Sequence, residues 1–369
     1  MANGEHHEWG RRKFLGAAAS LAASSAALGR DYTTQDRDRE IFPGSIVDVG
    51  RIRVGHFTDA RRPTGCTVAI FEGGAVAGVD VRGASPGTRE TDLLNPINTV
   101  QRANAILLSG GSAFGLAAAN GVMRYLEEHG EGYRVGVGVV PIVPAAILFD
   151  LNVGDPKIRP DGKSGYAACE AASASHVAQG NIGAGAGATV GKFFGLKNAM
   201  KAGLGTASIR VGPELIVAAM VAVNAAGDVR DCRTGEIIAG SRKADGQGFV
   251  NSMQQMLEGK TLSRGGSRTG AHTTIGIVAT NAALTKAEAT KIAQMAHDGF
   301  ARTINPVHTA ADGDAIFAAG TGTYSGKPGV TTIGAVAAEV MARAINNAVR
   351  TATGIPGYPA YRDLHEEAQ

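Results

Sequence analysis

A chain of 369 residues can form one large domain or two modest ones, with a sizeable buried core. Its 36 basic and 33 acidic side chains almost cancel, which argues against partners held by charge, such as nucleic acid or an anionic membrane. The 52 glycines stand largely in short loops between apolar runs, so they indicate tight turns in a packed protein and not a collagen-like or disordered repeat.

The first 30 residues are predicted to be a twin-arginine export signal. Arg11 and Arg12 precede an Ala/Ser-rich run from Phe14 to Leu28, which is too short and too weakly apolar to span a bilayer. Small residues near Gly29 offer a cleavage region, and the charged residues 31–44 are predicted to be a tether. We therefore expect a periplasmic or extracellular protein that keeps no membrane anchor. A disordered basic tail is the alternative.

Alternating β-type runs and Ala-rich helical patterns fill the rest of the chain and predict one folded α/β domain over residues 45–369. Strands are predicted at residues 51–57, 66–72, 74–83, 103–111, 133–151, 206–211, 215–229, 273–280 and 315–322. Helices are predicted at residues 112–130, 165–175 and 249–259, from Thr285 through Phe300, and at 331–353. Thr285 and Glu288 have the spacing of a capping box, which marks the start of the fourth helix.

Three Gly-rich motifs fall short of known phosphate or nucleophile loops. "GAGAGATVGKF" has Ala186 where a phosphate loop needs Gly, and Phe193 follows Lys192 where a metal-binding Ser or Thr is required. The dinucleotide fingerprint in the same stretch lacks a clear preceding strand. In "SGGSAFG", Gly115 comes one residue too late for a nucleophile elbow at Ser112, so a strand-to-helix turn with a capping serine is preferred.

No metal site is predicted either. The nine histidines are scattered without an H-x-x-x-H pair, and no two cysteines have metal-site spacing. Cys66, Cys169 and Cys232 are therefore interpreted as small buried side chains or single thiols, with one disulfide left open.

Residues 240–272 form the best candidate boundary in the chain, and an apolar strand begins directly after it at Thr273 and Thr274. If the chain were cut before Thr273, the new α-amino group, with a pKa of about 7.7–8.0, would serve as the base for its own hydroxyl. The loose stretch 261–272 would give access for the cut, and the rigid strand would hold the new terminus. Ordinary strand propensity of Thr explains the same pattern, so spacing alone leaves both interpretations open.

A family resemblance favours the first interpretation. The chain resembles the L-aminopeptidase/D-esterase family of self-processing N-terminal-nucleophile hydrolases, in particular its nylon-oligomer (6-aminohexanoate-oligomer) endohydrolase branch. The resemblance runs from about residue 45 to 320 and rests on these segments in order: "VAGVDVRGASPGTRETDLL", "ILLSGGSAFGLAAANGVMRYLEE", "VVPIVPAAILFDL", "GNIGAGAGATVGK", "MVAVNAAGD", "HTTIGIVATNAALTK" and "PVHTAADGDAIF".

The resemblance implies a role for each matching residue. Thr273 becomes the N-terminal nucleophile after the His272–Thr273 bond is cut. Lys192 lies beside it and keeps its amine neutral, because a neighbouring like charge disfavours protonation. Asn224 donates to the developing oxyanion. Asp312 and Asp314 orient the nucleophile and assist the cut. Taken singly, the four partners of Thr273 would be interpreted as a loop lysine, a turn asparagine and, for the two aspartates, an Asp-Gly turn.

Two positions depart from the pattern of the resembling family. His272 stands before the scissile bond where relatives carry Asn or Gly, which puts the rate of the cut in question, although an imidazole could also assist by proton transfer. Phe149 stands where some relatives place a Tyr near the substrate, so its missing hydroxyl would alter oxyanion support or substrate choice.

The fold that the resemblance implies is an αββα sandwich, cut into a large fragment, residues 45–272, and a small fragment, residues 273–369, that stay intertwined. It also implies hydrolysis of linear amide bonds in a small-molecule or oligomeric substrate, no cofactor, and a homo-oligomer, commonly a tetramer of processed protomers. Three alternatives stay open: an aminopeptidase, β-peptidyl aminopeptidase or D-esterase; an acyltransferase like ornithine acetyltransferase; and a binding protein that is never cleaved.

Overall fold

The computed structural model describes residues 41–260 and 272–365. The predicted export signal and all but the last four residues of the predicted tether lie outside this part of the chain. So do residues 261–271, which include most of the glycine-rich stretch ahead of His272.

The described residues contain sixteen strands and six α-helices, besides five short 3-10 helices. The strands are β1 (Ile52–Thr58), β2 (Gly65–Val81), β3 (Thr88–Arg89), β4 (Arg102–Ser109), β5 (Tyr133–Arg134), β6 (Val139–Val140), β7 (Ala145–Ile147), β8 (Thr189–Val190), β9 (Met200–Lys201), β10 (Leu204–Val211), β11 (Leu215–Ala222), β12 (Asp228–Arg230), β13 (Ile237–Ala239), β14 (Ile275–Thr280), β15 (Ile304–Asn305) and β16 (Ala315–Gly320). The helices are α1 (Ala118–Glu128), α2 (Gly162–Glu170), α3 (Ser252–Leu257), α4 (Lys286–Thr303), α5 (Val330–Arg350) and α6 (Tyr361–His365).

Nine of the strands form one mixed sheet in the order β10-β11-β14-β16-β2-β4-β7-β3, with β1 also paired to β2. The long strand β2 belongs to both halves of this sheet. Its first half pairs with β1 and its second half with β16, and the register with β4 shifts between Ile70 and Ala75. Gly73 and Gly74 lie at this shift with φ of 73° and 74°, a region that glycine enters without strain.

The bend in β2 lets the two halves of the sheet face each other across a shared core. One side of this core comes from β1, β4 and β7, through residues such as Val54, Leu108 and Ala146. The other comes from β11, β14 and β16, through residues such as Met220 and Phe317. Helices α1 and α2 cover the outer face of the first half, and α4 and α5 pack on the second. The αββα sandwich implied by the family resemblance is confirmed.

Most predicted elements are present, with two instructive differences. The predicted strands at 66–72 and 74–83 are one bent strand, β2. The stretch 133–151, predicted as a buried strand, is instead a short hairpin, β5–β6, followed by the three-residue strand β7. Val137 at the hairpin tip is 98% exposed, because the glycines on either side of it let the chain turn away from the core.

The glycine motif around Ser112 is a strand-to-helix turn, as predicted. It joins β4 to a short 3-10 helix at Ser112–Ala117 that runs into α1. The cap differs from the prediction, because Gly111 takes the N-cap position with no side-chain hydrogen bond. The capping box at the start of α4 is present, with the Thr285 hydroxyl accepting from the Glu288 amide.

The described residues after Phe42 fall in one compact unit. Among them, no helix combines the length and the apolar character needed to cross a membrane.

Candidate active site

Strand pairing brings the predicted site residues to the head of β14. The antiparallel partner β11 ends at Ala222, opposite Ile275, and the parallel partner β16 begins at Ala315, also opposite Ile275. The chain just before β14 therefore lies between the end of β11 and the start of β16. This register puts Asn224 on one side of Thr273 and the Asp312–Asp314 segment on the other.

Thr273 is buried, with 1% of its surface exposed, and both of its hydrogen-bond donors are paired. Its backbone N–H donates to the Asn224 carbonyl at 3.0 Å. Its hydroxyl donates to the carbonyl of His272 at 2.6 Å, and the Gly313 N–H donates to the same oxygen at 2.9 Å. The His272 carbonyl oxygen thus accepts from the Thr273 hydroxyl and from a backbone N–H. This N–H would stabilise negative charge on the oxygen.

Lys192 reaches the same point from the glycine-rich loop. Its Nζ donates to the backbone carbonyl of Asn224 at 3.0 Å and to the side-chain Oδ1 of Asn224 at 2.8 Å. Lys192 and the Thr273 nitrogen therefore share one carbonyl oxygen. Burial lowers the pKa of Lys192 to about 7, because desolvation disfavours the ammonium more than the nearby carboxylates, led by Asp312, favour it.

The side chain of Asn224 ties three segments together. Its Oδ1 accepts from the Thr189 N–H at 3.1 Å as well as from Lys192, and its Nδ2 donates to the Phe149 carbonyl at 2.9 Å. Because an amide nitrogen has two N–H bonds, the bond to Phe149 occupies only one of them. Phe149 meets Asn224 through its backbone carbonyl, which a tyrosine would supply equally.

Asp312 and Asp314 hold the chain on the far side of Thr273. Asp314 Oδ1 accepts from the Thr274 N–H at 2.7 Å, and Asp312 Oδ2 accepts from the Thr309 N–H at 2.6 Å. Burial, together with the neighbouring Asp314 carboxylate, raises the pKa of Asp312 above its usual range. The residue between them must be glycine, since a Cβ on Gly313 would lie 2.5 Å from the Ser85 carbonyl and 2.8 Å from the Thr273 hydroxyl.

His272 is buried beside this cluster. Desolvation, and then the positive charge of Lys192, lower the pKa of His272 to about 3. Its Nδ1 has no hydrogen-bond partner among the described residues. The imidazole is therefore neutral at ordinary pH and cannot donate a proton as a cation in a cut at this position.

The seven residues singled out from the sequence thus lie together, while their chemical roles stay predictions.

The sequence did not point to two other residues that support the site, Lys201 and Asp150. Lys201 is fully buried and donates to three backbone carbonyls, those of Gly185, Ala188 and Ala202. It clamps the glycine-rich loop just ahead of Thr189, which bonds Asn224. The only sequence signal for it is a lysine inside an apolar run.

Asp150 was also missed, although it follows Phe149 directly. Its carboxylate forms a buried ion pair with Arg62 and accepts from the Thr64 hydroxyl at 2.6 Å and the Gly111 N–H at 2.9 Å. These bonds fix the segment whose carbonyl receives the Asn224 amide. None of these three partners is near Asp150 in the sequence, so no spacing pointed to it.

The described residues contain no group of three His, Cys, Asp or Glu side chains placed to hold a metal ion. Cys66 and Cys169 are buried free thiols, and burial raises the pKa of both. Cys232 is a half-buried free thiol. None of the three lies at the Thr273 cluster.

The fold is that of the Ntn hydrolases. The structure resembles the L-aminopeptidase D-Ala-esterase/amidase of Ochrobactrum anthropi, a variant of that fold, with a TM-score of 0.64 at 18% identity over 88% of this chain and 93% of the other. It also resembles a β-aminopeptidase of Burkholderia sp., with a TM-score of 0.60 at 20% identity over 84% and 87% of the two chains.

The family is peptidase family S58, to which the chain belongs: the family model matches residues 44–362. An uncharacterized aminopeptidase of Mycobacterium tuberculosis is 44% identical over 87% of this chain and 97% of its own. A 6-aminohexanoate-oligomer endohydrolase of Kocuria sp. is 32% identical over 84% of this chain and 85% of its own. The family resemblance seen in the sequence is confirmed, and the chain is a peptidase-family hydrolase.

Replacing Lys201 tests whether it holds the site together. We expect Lys201→Met to lower the free energy of unfolding by about 2–4 kcal/mol, because three buried carbonyls lose their donor. Lys197→Met is the control; its side chain is exposed, and we expect a change below about 0.5 kcal/mol. Denaturant unfolding in a Thr273→Ala background, which lacks the predicted nucleophile, measures both. Equal stabilities would show that Lys201 does not clamp the loop.

Proposed function

We propose that this chain is the precursor of an N-terminal threonine hydrolase that cuts itself before Thr273. The mature enzyme would then hydrolyse linear amide bonds, the activity that the name of the 6-aminohexanoate-oligomer endohydrolases describes. One observation carries the proposal: the Thr273 hydroxyl lies 2.6 Å from the carbonyl oxygen of His272, inside a buried cluster of charged groups. The Gly313 N–H on the same oxygen supports it, because this donor would stabilise the oxyanion formed by attack.

The self-cleavage step needs only the groups at this cluster and one water molecule. The Thr273 hydroxyl oxygen attacks the carbonyl carbon of His272 and gives its proton, directly or through a neighbouring group, to the Thr273 nitrogen. The C–N bond then breaks and leaves an ester between His272 and the threonine side chain. Water hydrolyses this ester, which frees a carboxyl group on His272 and an amino group on Thr273.

Turnover would use the same oxygen on an external amide. The new amine can keep one hydrogen bond to the Asn224 carbonyl, which already accepts from this nitrogen at 3.0 Å, while its lone pair takes the hydroxyl proton. The second N–H of the Asn224 amide would donate to the tetrahedral oxyanion. The leaving amine departs, and water releases the acyl group from Thr273. Export through the signal at residues 1–30 and assembly into a homo-oligomer belong to the same proposal.

A second candidate function is aminopeptidase activity. The observation that favours it is the higher identity, 44%, to the mycobacterial protein named as an aminopeptidase, against 32% to the oligomer endohydrolase. The two functions share the nucleophile and differ in whether the substrate must present a free amino terminus.

Two neighbouring threonines provide a matched test of the nucleophile. We expect Thr273→Val to abolish the appearance of a fragment of residues 273–369, because the isosteric side chain lacks the attacking oxygen. Thr274→Val should cleave at nearly the original rate, since the Thr274 hydroxyl is buried with no hydrogen-bond partner in the described part of the chain. Denaturing electrophoresis and N-terminal sequencing of the fragment measure both. A parent chain that stays intact on prolonged incubation, or cleavage of Thr273→Val, contradicts the proposal.

One pair of substrates separates the two candidate functions. We expect the matured protein to hydrolyse 6-aminohexanoate oligomers whether or not their amino terminus is acetylated, because an endohydrolase does not read that terminus. An aminopeptidase would cleave only the free oligomer, or would prefer amino-acid p-nitroanilides to both. Chromatography of the products at matched substrate concentration decides the question. Loss of hydrolysis upon acetylation would favour the second candidate.

The pH dependence of turnover tests the role of Lys192. The rate should rise between about pH 6 and pH 8 as the Thr273 amine loses its proton. Lys192 itself loses its charge near pH 7, so it opposes protonation of the amine mainly in the lower part of this range. In Lys192→Met the rise should therefore begin at higher pH, because that opposing charge is gone. Lys197→Met should leave it unmoved.

This measurement needs matured protein that does not depend on self-cleavage. Co-expression of residues 31–272 with a fragment whose initiator methionine precedes Thr273 and is then removed supplies it. A rise at the same pH in all three proteins would contradict the role given to Lys192.

A further inference from the structure

His308 is a half-buried contact of the site that the sequence did not single out. It lies in the loop between β15 and β16, with a φ of 54°, a region where asparagine and glycine are favoured. Its ring packs against two side chains of α4: the His297 ring at 4.7 Å between centroids and the Phe300 ring, stacked, at 5.9 Å. The orientation of the imidazole is therefore set by the helix and not by the loop alone.

The imidazole is directed at Asp314. Its Nδ1 lies 2.8 Å from Asp314 Oδ2, and the backbone N–H of His308 donates to the same oxygen at 3.3 Å. Because the carboxylate accepts, the proton of this bond sits on Nδ1. Nε2 is buried and has no partner among the described residues, so the ring makes its polar contact with the site through Nδ1.

The two carboxylate oxygens of Asp314 accept from different residues. Both hydrogen bonds to Oδ2 in the described part of the chain come from His308. Oδ1 accepts from the Thr274 N–H at 2.7 Å and so holds the residue after the nucleophile. If Oδ2 were released, the carboxylate could rotate, and Thr274, which joins Thr273 to β14, would lose its fixed partner.

We propose that His308 is a positioning residue for the nucleophile: its Nδ1–H locks Asp314, which in turn fixes Thr274 and the attack geometry of Thr273. The proposal rests on the proposed self-cleavage for its effect on rate. The contacts of Asp314 with His308 and Thr274 are present in the intact chain, so they do not depend on self-cleavage.

Two substitutions separate the donor from the packing of the ring. His308→Gly keeps the backbone conformation available and removes the donor, and His308→Asn suits the same φ and places its Nδ2–H near the position of Nδ1. Both lose the aromatic contacts with α4, so their difference isolates the hydrogen bond to Asp314.

We expect His308→Gly to slow the appearance of the fragment beginning at Thr273 by about 10- to 100-fold, the range typical when a supporting contact of a reactive group is lost. His308→Asn should recover most of that loss. The first-order rate is measured on full chains and compared with melting temperatures in a Thr273→Ala background. Equal slowing in both variants would overturn the proposal, as would an unchanged rate in His308→Gly.

A second measurement does not depend on cleavage. In the Thr273→Ala chain, hydrogen exchange at the Thr274 amide reports directly on its bond to Asp314. We expect faster exchange there in His308→Gly than in His308→Asn, with the middle of β14 equally protected in both. Unchanged protection in His308→Gly would overturn the positioning role whether or not the parent chain cleaves. A parent chain that never cleaves would contradict the proposed function alone.

Discussion

The site depends on β14 being paired on both sides right up to its first residue. Antiparallel β11 fixes one edge and parallel β16 the other, so the chain entering β14 has little freedom at Thr273. The bond from the Thr273 N–H to Asn224 continues the first ladder, and the bond from the Gly313 N–H to His272 continues the second. A side chain on a loop could not be held at 2.6 Å from its own preceding carbonyl without such bracing, because the backbone there would be free to rotate.

A parallel pair at this point has a further consequence. Parallel neighbours bring together the same ends of two strands, so the segments that lead into β14 and β16 lie side by side. This is why Thr274 and Asp314, forty positions apart in the chain, share a hydrogen bond. The antiparallel neighbour instead contributes the segment that follows its end, and Asn224 comes from there. One strand order therefore collects an amide, two carboxylates and a hydroxyl at one place.

The cluster also concentrates buried charge. Lys192 is buried together with Asp312 and Asp314, and Lys201 is buried one layer behind it with backbone carbonyls as its partners. Desolvation lowers the pKa of both lysines to about 7 and raises that of Asp312, so protons are held less firmly on the amines and more firmly on the carboxyl than in water. Groups that titrate near neutral pH inside a closed site suit proton transfer, and perturbed groups of this kind are typical of active sites.

The sequence by itself determined the local elements and the family. Periodicity and capping located the helices, as the Thr285–Glu288 box shows, because these signals depend on neighbouring residues only. Resemblance over nearly the whole chain pointed to Thr273 and its partners, which spacing alone could not separate from an ordinary strand start. Only the tertiary structure decided that β2 is one bent strand shared by two layers, that the stretch around Val137 is exposed, and that Lys201, Asp150 and His308 support the site. The physical reasons differ. Lys201 bonds backbone carbonyls, which side-chain identity does not reveal. Asp150 bonds groups that are distant in the chain and that the fold brings near. His308 is only six residues from Asp314, but the turn of its loop and the packing of its ring on α4 are decided by the fold.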